Sequence, residues 1–140
     1  MAYTANKLKA KFLSRLYVWD PADATVEDYI AWVPMGLNFL ALATLVTGGA
    51  LINFRIYAAL DSAGGTPTLV ATSASFATVD TPGDQVALEV SQEQVLAALA
   101  HASHVSVRID SDTASDVIAI HYLMEARQRY DGISGDVNLA

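Results

Sequence analysis

The chain has no cysteine. Disulfide staples and thiolate metal sites are therefore excluded, and the fold must be held by its core. At 140 residues the chain is long enough for that. A domain of this size buries roughly two-thirds of the surface that its unfolded chain exposes. Basic residues are also scarce, with eight against fifteen acidic side chains and a formal net charge of −7. So acidic a body repels a phosphate backbone, which excludes non-specific nucleic-acid binding by most of the chain. Charged residues of either sign make up only 16% of the sequence, against 53% apolar. Either the interior is large, or neighbouring molecules cover part of the surface.

Charge is missing altogether between Asp28 and Arg55, a run of 26 residues that is long enough to cross a bilayer. Three features argue against a transmembrane helix. Pro34 and the pair Gly48–Gly49 divide the run, and Asn38, Thr44, Thr47 and Asn53 punctuate it with polar groups. The acidic pair Glu27–Asp28 stands at its mouth, and the nearest upstream basic residue is more than ten positions away. The run reads instead as two buried strands, residues 37–46 and 51–60, joined at a glycine turn. No cleavage pattern follows a short apolar core near residue 1, so no secretory signal is expected.

What basic charge there is lies at one end. Lys7, Lys9, Lys11 and Arg15 fall within the first fifteen positions. The rest holds four basic against fifteen acidic residues, a net of −11. This split reads as a docking handle, residues 1–19, ahead of a single acidic domain, residues 20–140. Leu8, Phe12, Leu16 and Trp19 are spaced four, four and three apart. That spacing predicts an amphipathic helix over 4–19 with Thr4 as its N-cap, the alternative being an extended arm over 12–19. Asp20-Pro21-Ala22-Asp23 is a turn by composition.

From residue 50 onward, period-two alternation dominates. Phe54, Ile56 and Ala58 alternate with Asn53, Arg55 and Tyr57. Residues 68–72, 86–90, 104–110 and 117–124 read as further strands. Ser91 and Gln94 have capping-box spacing ahead of Val95, Leu96 and Leu99, which predicts one short helix. Six or seven strands and one helix point to an antiparallel β-sandwich, jelly-roll-like, with a polar tail from Gln128. Its predicted core contains Phe54, Ile56, Leu88, Val107, Ile118 and Ile120.

No catalytic set can be read. His101, His104 and His121 lack metal-site spacing. Asp110, Asp112 and Asp116 lack the glycine and terminal glutamate of a calcium loop. The glycine pairs are not followed by a phosphate-binding lysine, and no serine sits in a nucleophile elbow. Arg127, Arg129 and Tyr130 could hold a phosphate or a sugar, or Arg127 and Arg129 could pair with the acidic body of a neighbour. No metal, cofactor, nucleic-acid or membrane partner is expected, and no enzymatic activity.

Several stretches occur in an order that resembles a family of small virion proteins of tailed bacteriophages, often encoded near the major capsid protein. They are Leu40-Ala41-Leu42-Ala43-Thr44 leading to Gly48–Gly49, Phe54-Arg55-Ile56 with its turn, and Val86-Ala87-Leu88-Glu89-Val90 running into Ser91-Gln92-Glu93-Gln94. Val105 to Asp110, Ala114-Ser115-Asp116 and Ile118 to Tyr122 follow, with 127–131 as a tail. The resemblance implies a capsid decoration or cement protein, made in the host cytoplasm and carried on the virion. Its partner would be the major capsid protein, and it would form a homo-oligomer such as a trimer. A tail, neck or head-fibre base subunit, or a carbohydrate-binding sandwich, are the alternatives. The charge split adds the expected contact residues: Lys7, Leu8, Lys9, Lys11, Phe12, Arg15, Leu16 and Trp19, with Arg127 and Arg129.

Overall fold

Along Asn38–Thr47 burial alternates residue by residue, with Phe39, Ala41, Ala43 and Leu45 at most 1% exposed. The same period recurs in strand after strand, and it sorts the chain into two sheets with one shared interior. The computed structural model describes residues 12–20, 28–47, 51–73, 81–111 and 117–126. The strands are β1 (Phe12–Trp19), β2 (Asp28–Tyr29), β3 (Val33–Pro34), β4 (Asn38–Thr47) and β5 (Leu51–Ala59). After them come β6 (Thr68–Thr72), β7 (Gln85–Ser91), the helix α1 (Gln92–Ala98), β8 (His104–Ser111) and β9 (Val117–Glu125).

One sheet has the order β1–β9–β4–β7, and the other β2–β8–β5–β6, with β3 also on β8. Every pairing is antiparallel. Four pairs are nested in sequence: β1 with β9, β2 and β3 with β8, β4 with β7, and β5 with β6. The chain is thus doubled back as one long hairpin and rolled, so that β9 also meets β4 and β8 meets β5. This is jelly-roll topology, with β2 and β3 counting as one interrupted strand.

The core lies between the sheets. Phe54, Ile56, Val107, Ile118 and Ile120 are buried as their alternation predicts. Leu88 is only half-buried against the core, because β7 is an edge strand. The capping box forms as expected: Gln94 N–H donates to Ser91 Oγ, and Ser91 N–H donates to Gln94 Oε1. Its helix sets Val95 into the core.

The helix predicted over 4–19 is not what residues 12–19 form. They are a strand paired with β9 along all eight positions. Phe12, Tyr17, Val18 and Trp19 favour the pleated surface of a sheet. The helical spacing had joined residues from opposite faces: Trp19 is buried, while Leu16 is 67% exposed. The sandwich therefore begins by Phe12, not at Asp20.

Between β2 and β3 the ladder on β8 is broken, and Tyr122 fills the gap from the opposite sheet. Its hydroxyl accepts from Val107 N–H at 2.9 Å and donates to Ala31 O at 3.1 Å. Ala31 N–H donates to the same oxygen at 3.3 Å. The ring is only 1% exposed and meets Tyr17 and Phe39 edge-on, each at 4.9 Å. Backbone groups buried in a gap must find such partners, and here a side chain supplies them.

A second constraint sits at Gly36, which lies against the end of β9. A Cβ there would stand 2.0 Å from Glu125 O. Leu37 N–H donates to that same carbonyl at 2.7 Å. Gly36→Ala should destabilise the fold by about 3 kcal/mol, since backbone must move to admit the methyl. The shift in a urea unfolding midpoint measures it.

Tyr122→Phe should cost about 1–3 kcal/mol by leaving Val107 N–H without its acceptor. Burial raises the Tyr122 pKa above the ordinary tyrosine value, and its hydrogen bonds to Ser106, Val107 and Ala31 oppose that shift only in part. The folded protein keeps this proton where the unfolded chain has lost it. The Tyr122 contribution is therefore whole below about pH 10 and is lost as pH rises through the folded-state pKa. Unfolding followed from about pH 8 to 12 should show that alkaline loss in the wild type, and a shallower one in Tyr122→Phe.

Candidate interaction surfaces

On the outer side of the β1–β9–β4–β7 sheet stand the residues that alternate with the core. Strand register arranges them in rows. Phe12, Glu125, Asn38 and Ser91 form the first row, and Ser14, Leu123, Leu40 and Glu89 the second. Leu16, His121, Leu42 and Ala87 form the third, and Val18, Ala119, Thr44 and Gln85 the fourth. Glu125 and Glu89 are the only acidic side chains among these positions, both in the first two rows. The third and fourth rows carry no carboxylate, lysine or arginine.

Leu16 and Val18 are 67% and 68% exposed, and Leu40, Leu42 and Leu123 are half-buried. Eight of the sixteen outward positions in these rows are apolar, so the sheet carries apolar side chains on both sides. An antiparallel sheet that faces water on one side normally alternates apolar with polar. Contiguous exposed apolar surface on a folded domain marks an interaction site. Among the described residues strand β1 is also a sheet edge, so its outward main chain can take another strand.

Polar side chains on this face pair with one another. Ser14 Oγ and His121 Nε2 are 2.6 Å apart, and Gln85 Nε2 donates to Thr44 Oγ1 at 3.0 Å. The serine–histidine distance is within proton-transfer reach. Yet the pair lies on the outer face of two strands, and no hydrogen bond to a carboxylate orients the ring among the described residues. At the first two rows the face opens into a cleft of about 110 Å³, lined by Phe12, Asn38, Leu40, Glu89, Leu123 and Glu125. Three apolar side chains, Asn38 and two carboxylates line it. Asn38 Nδ2 donates to Glu125 Oε2 at 2.7 Å.

The other sheet has a different exterior. Tyr29 packs on Trp32 at 5.0 Å and edge-on to Tyr57 at 5.4 Å. The Arg108 guanidinium lies 5.1 Å from the Tyr29 ring and 5.7 Å from that of Tyr57. Gly64, at φ +82°, lets its turn close on Trp32, whose Nε1 a Cβ would meet at 2.7 Å. These half-buried rings are engaged with one another and with Arg108, and so brace β2 against β8 and β5.

Of the expected contact residues, Phe12 and Leu16 lie on the apolar face, and Arg15 is exposed on the same strand. Trp19 does not serve as a surface anchor: it is buried among the core residues at 7% exposure. Lys7, Leu8, Lys9, Lys11, Arg127 and Arg129 lie outside the described residues, as do Asp112 and Asp116. The histidines are dispersed. His101 stands in a left-handed turn at φ 65°, His104 Nδ1 pairs with Ser103 Oγ at 2.7 Å, and His121 is on the apolar face. No cluster of three possible metal ligands occurs among the described residues.

Leu40, Leu42, Leu123 and His121 were not among the expected contacts. A signal for the leucines is present in the sequence. Phe39-Leu40-Ala41-Leu42-Ala43 is apolar at every position, which requires both faces of its strand to be covered. No helix among the described residues is long and apolar enough to cross a membrane.

No protein-family model and no curated protein matches the chain. Among solved structures it is similar to a chain of the Bacillus endospore appendages, described as a novel family of disulfide-linked pili. That match has 15% identity over 83% of this chain and 89% of the other, with a TM-score of 0.37. It is also similar to a chain of infectious bursal disease virus Gt strain, with 12% identity over 86% of this chain and a TM-score of 0.36. This chain spans only 33% of that viral chain. Both likenesses are distant, and the present chain has no cysteine with which to form a disulfide link.

Proposed function

We propose that the chain is a structural, non-catalytic virion protein that binds the outside of a bacteriophage capsid and reinforces it. The observation that carries this reading is the apolar outer face of the β1–β9–β4–β7 sheet, with Leu16 and Val18 exposed at its edge. The occupant assigned to that face is the major capsid protein. The resemblance of the strand segments to small capsid-associated phage proteins supports that choice. So does the breadth of the face, which spans four strands and suits another folded subunit better than a small ligand.

Burying Leu16 and Val18 would contribute about 1.5–3 kcal/mol each before the cost of association is subtracted. Repeated over a shell, such binding stabilises the assembled particle by mass action. The four-residue rows place His121 and Ala119 beside them and Leu42 one strand further, so the contact would extend across the sheet.

Leu16→Glu and Val18→Glu test this. Both positions face solvent in the isolated chain, so each variant should keep the wild-type stability to within about 0.5 kcal/mol. Each should bind stripped capsids at least about a hundredfold more weakly, because a carboxylate would be buried unpaired in an apolar contact. Particles saturated with wild-type protein should also retain their genome to a higher temperature than stripped ones. Undiminished capsid binding by both variants would refute the assignment of this face.

A further inference from the structure

We infer that the cleft at one end of the apolar face receives the basic N-terminal segment, residues 7–11, of a second copy of this chain. The inference rests on the proposed assembly role and names a partner within it. Donor and acceptor are both written in this chain. The acceptor is the cleft lined by the apolar Phe12, Leu40 and Leu123 and by the carboxylates of Glu89 and Glu125. A lining of apolar side chains and carboxylates suits the stem and ammonium of a lysine, which buries its methylenes while its charge meets a carboxylate. The donor is Lys7-Leu8-Lys9-Ala10-Lys11, which alternates lysine with apolar residues. It holds three of the four basic residues found in the first fifteen positions. The complementarity is therefore of charge and of hydrophobicity together.

The geometry favours a second copy over the same chain. Phe12, which follows Lys11 directly, is itself a wall of the cleft. For its own lysines to enter, the chain would have to reverse within residues 8–11. The segment Leu8-Lys9-Ala10-Lys11 contains no Gly, Pro, Asn or Asp with which to make a tight turn. Toward a neighbour no such reversal is needed, and five extended residues, 7–11, would span roughly 17 Å from Phe12. Since arm and cleft are different patches, the contact is head-to-tail and can close a ring.

Charge reversal on the full-length chain tests this by sedimentation equilibrium. The wild type should self-associate at low salt and dissociate as salt rises, because exposed ion pairs are screened. One variant carries Glu89→Lys, and a second carries Lys7→Glu, Lys9→Glu and Lys11→Glu. Each alone should associate at least about tenfold more weakly than wild type, since like charges then meet. An equimolar mixture should regain association, because each arm then finds a cleft of opposite charge. A wild type whose self-association is weaker than a Kd of about 1 mM would overturn the inference. So would a single variant that associates like wild type, or a mixture that stays monomeric. Capsid binding, measured separately on the same proteins, distinguishes the two readings. A wild type that binds capsids without self-associating removes only the arm, whereas wild-type self-association with no capsid binding removes only the capsid role.

Discussion

The Tyr122 hydroxyl is the constraint on which the rest of the molecule depends. It starts in one sheet, crosses the core and completes the interrupted ladder of the other. Ala31 and Val107 could not both be satisfied by main chain alone at the gap between β2 and β3. The ring that carries the hydroxyl is held edge-on by Tyr17 of β1 and Phe39 of β4. Three neighbouring strands are thereby fixed in phase with one another and with the facing sheet. A slip of one residue in any of them would turn its core side chains outward.

That phase decides what the molecule shows to its surroundings. With Tyr122 inward, His121 and Leu123 must point out, and the paired positions Leu40, Leu42 and Leu16 point out beside them. The other sheet resolves differently. Its outward residues include Arg108 and Tyr57, and the rings of Tyr29 and Tyr57 flank the guanidinium. One exterior is thus closed by its own side chains, while the other keeps apolar surface at an open strand edge. Such asymmetry is what separates a surface that serves only solubility from one that can hold a neighbour.

Much of the fold was legible in the sequence because its information is local. Period-two alternation located β5, β7, β8 and β9, and Ser91 with Gln94 announced the helix start. Helical spacing of Leu8, Phe12, Leu16 and Trp19 put a helix ahead of the extended alternative over 12–19, and it is the extended form that β1 takes, paired with β9 of its own sandwich. The apolar outer face was half legible, in the unbroken apolar run of β4. The cleft was not, since Phe12, Leu40, Glu89 and Leu123 come from four strands whose adjacency only the rolled topology creates. The role of Tyr122 was equally hidden: alternation placed it inward but could not reveal a gap in a strand of the opposite sheet.

The central claim is that the exterior of the β1–β9–β4–β7 sheet is an interface within a virion. Electron microscopy of the assembled particle, at a resolution that separates strands, tests it most directly. The expected map shows the jelly roll on the shell with Leu16, Val18 and Leu42 against a capsid subunit. A map in which that sheet faces solvent while the β2–β8–β5–β6 sheet or the helix makes the contact would contradict it.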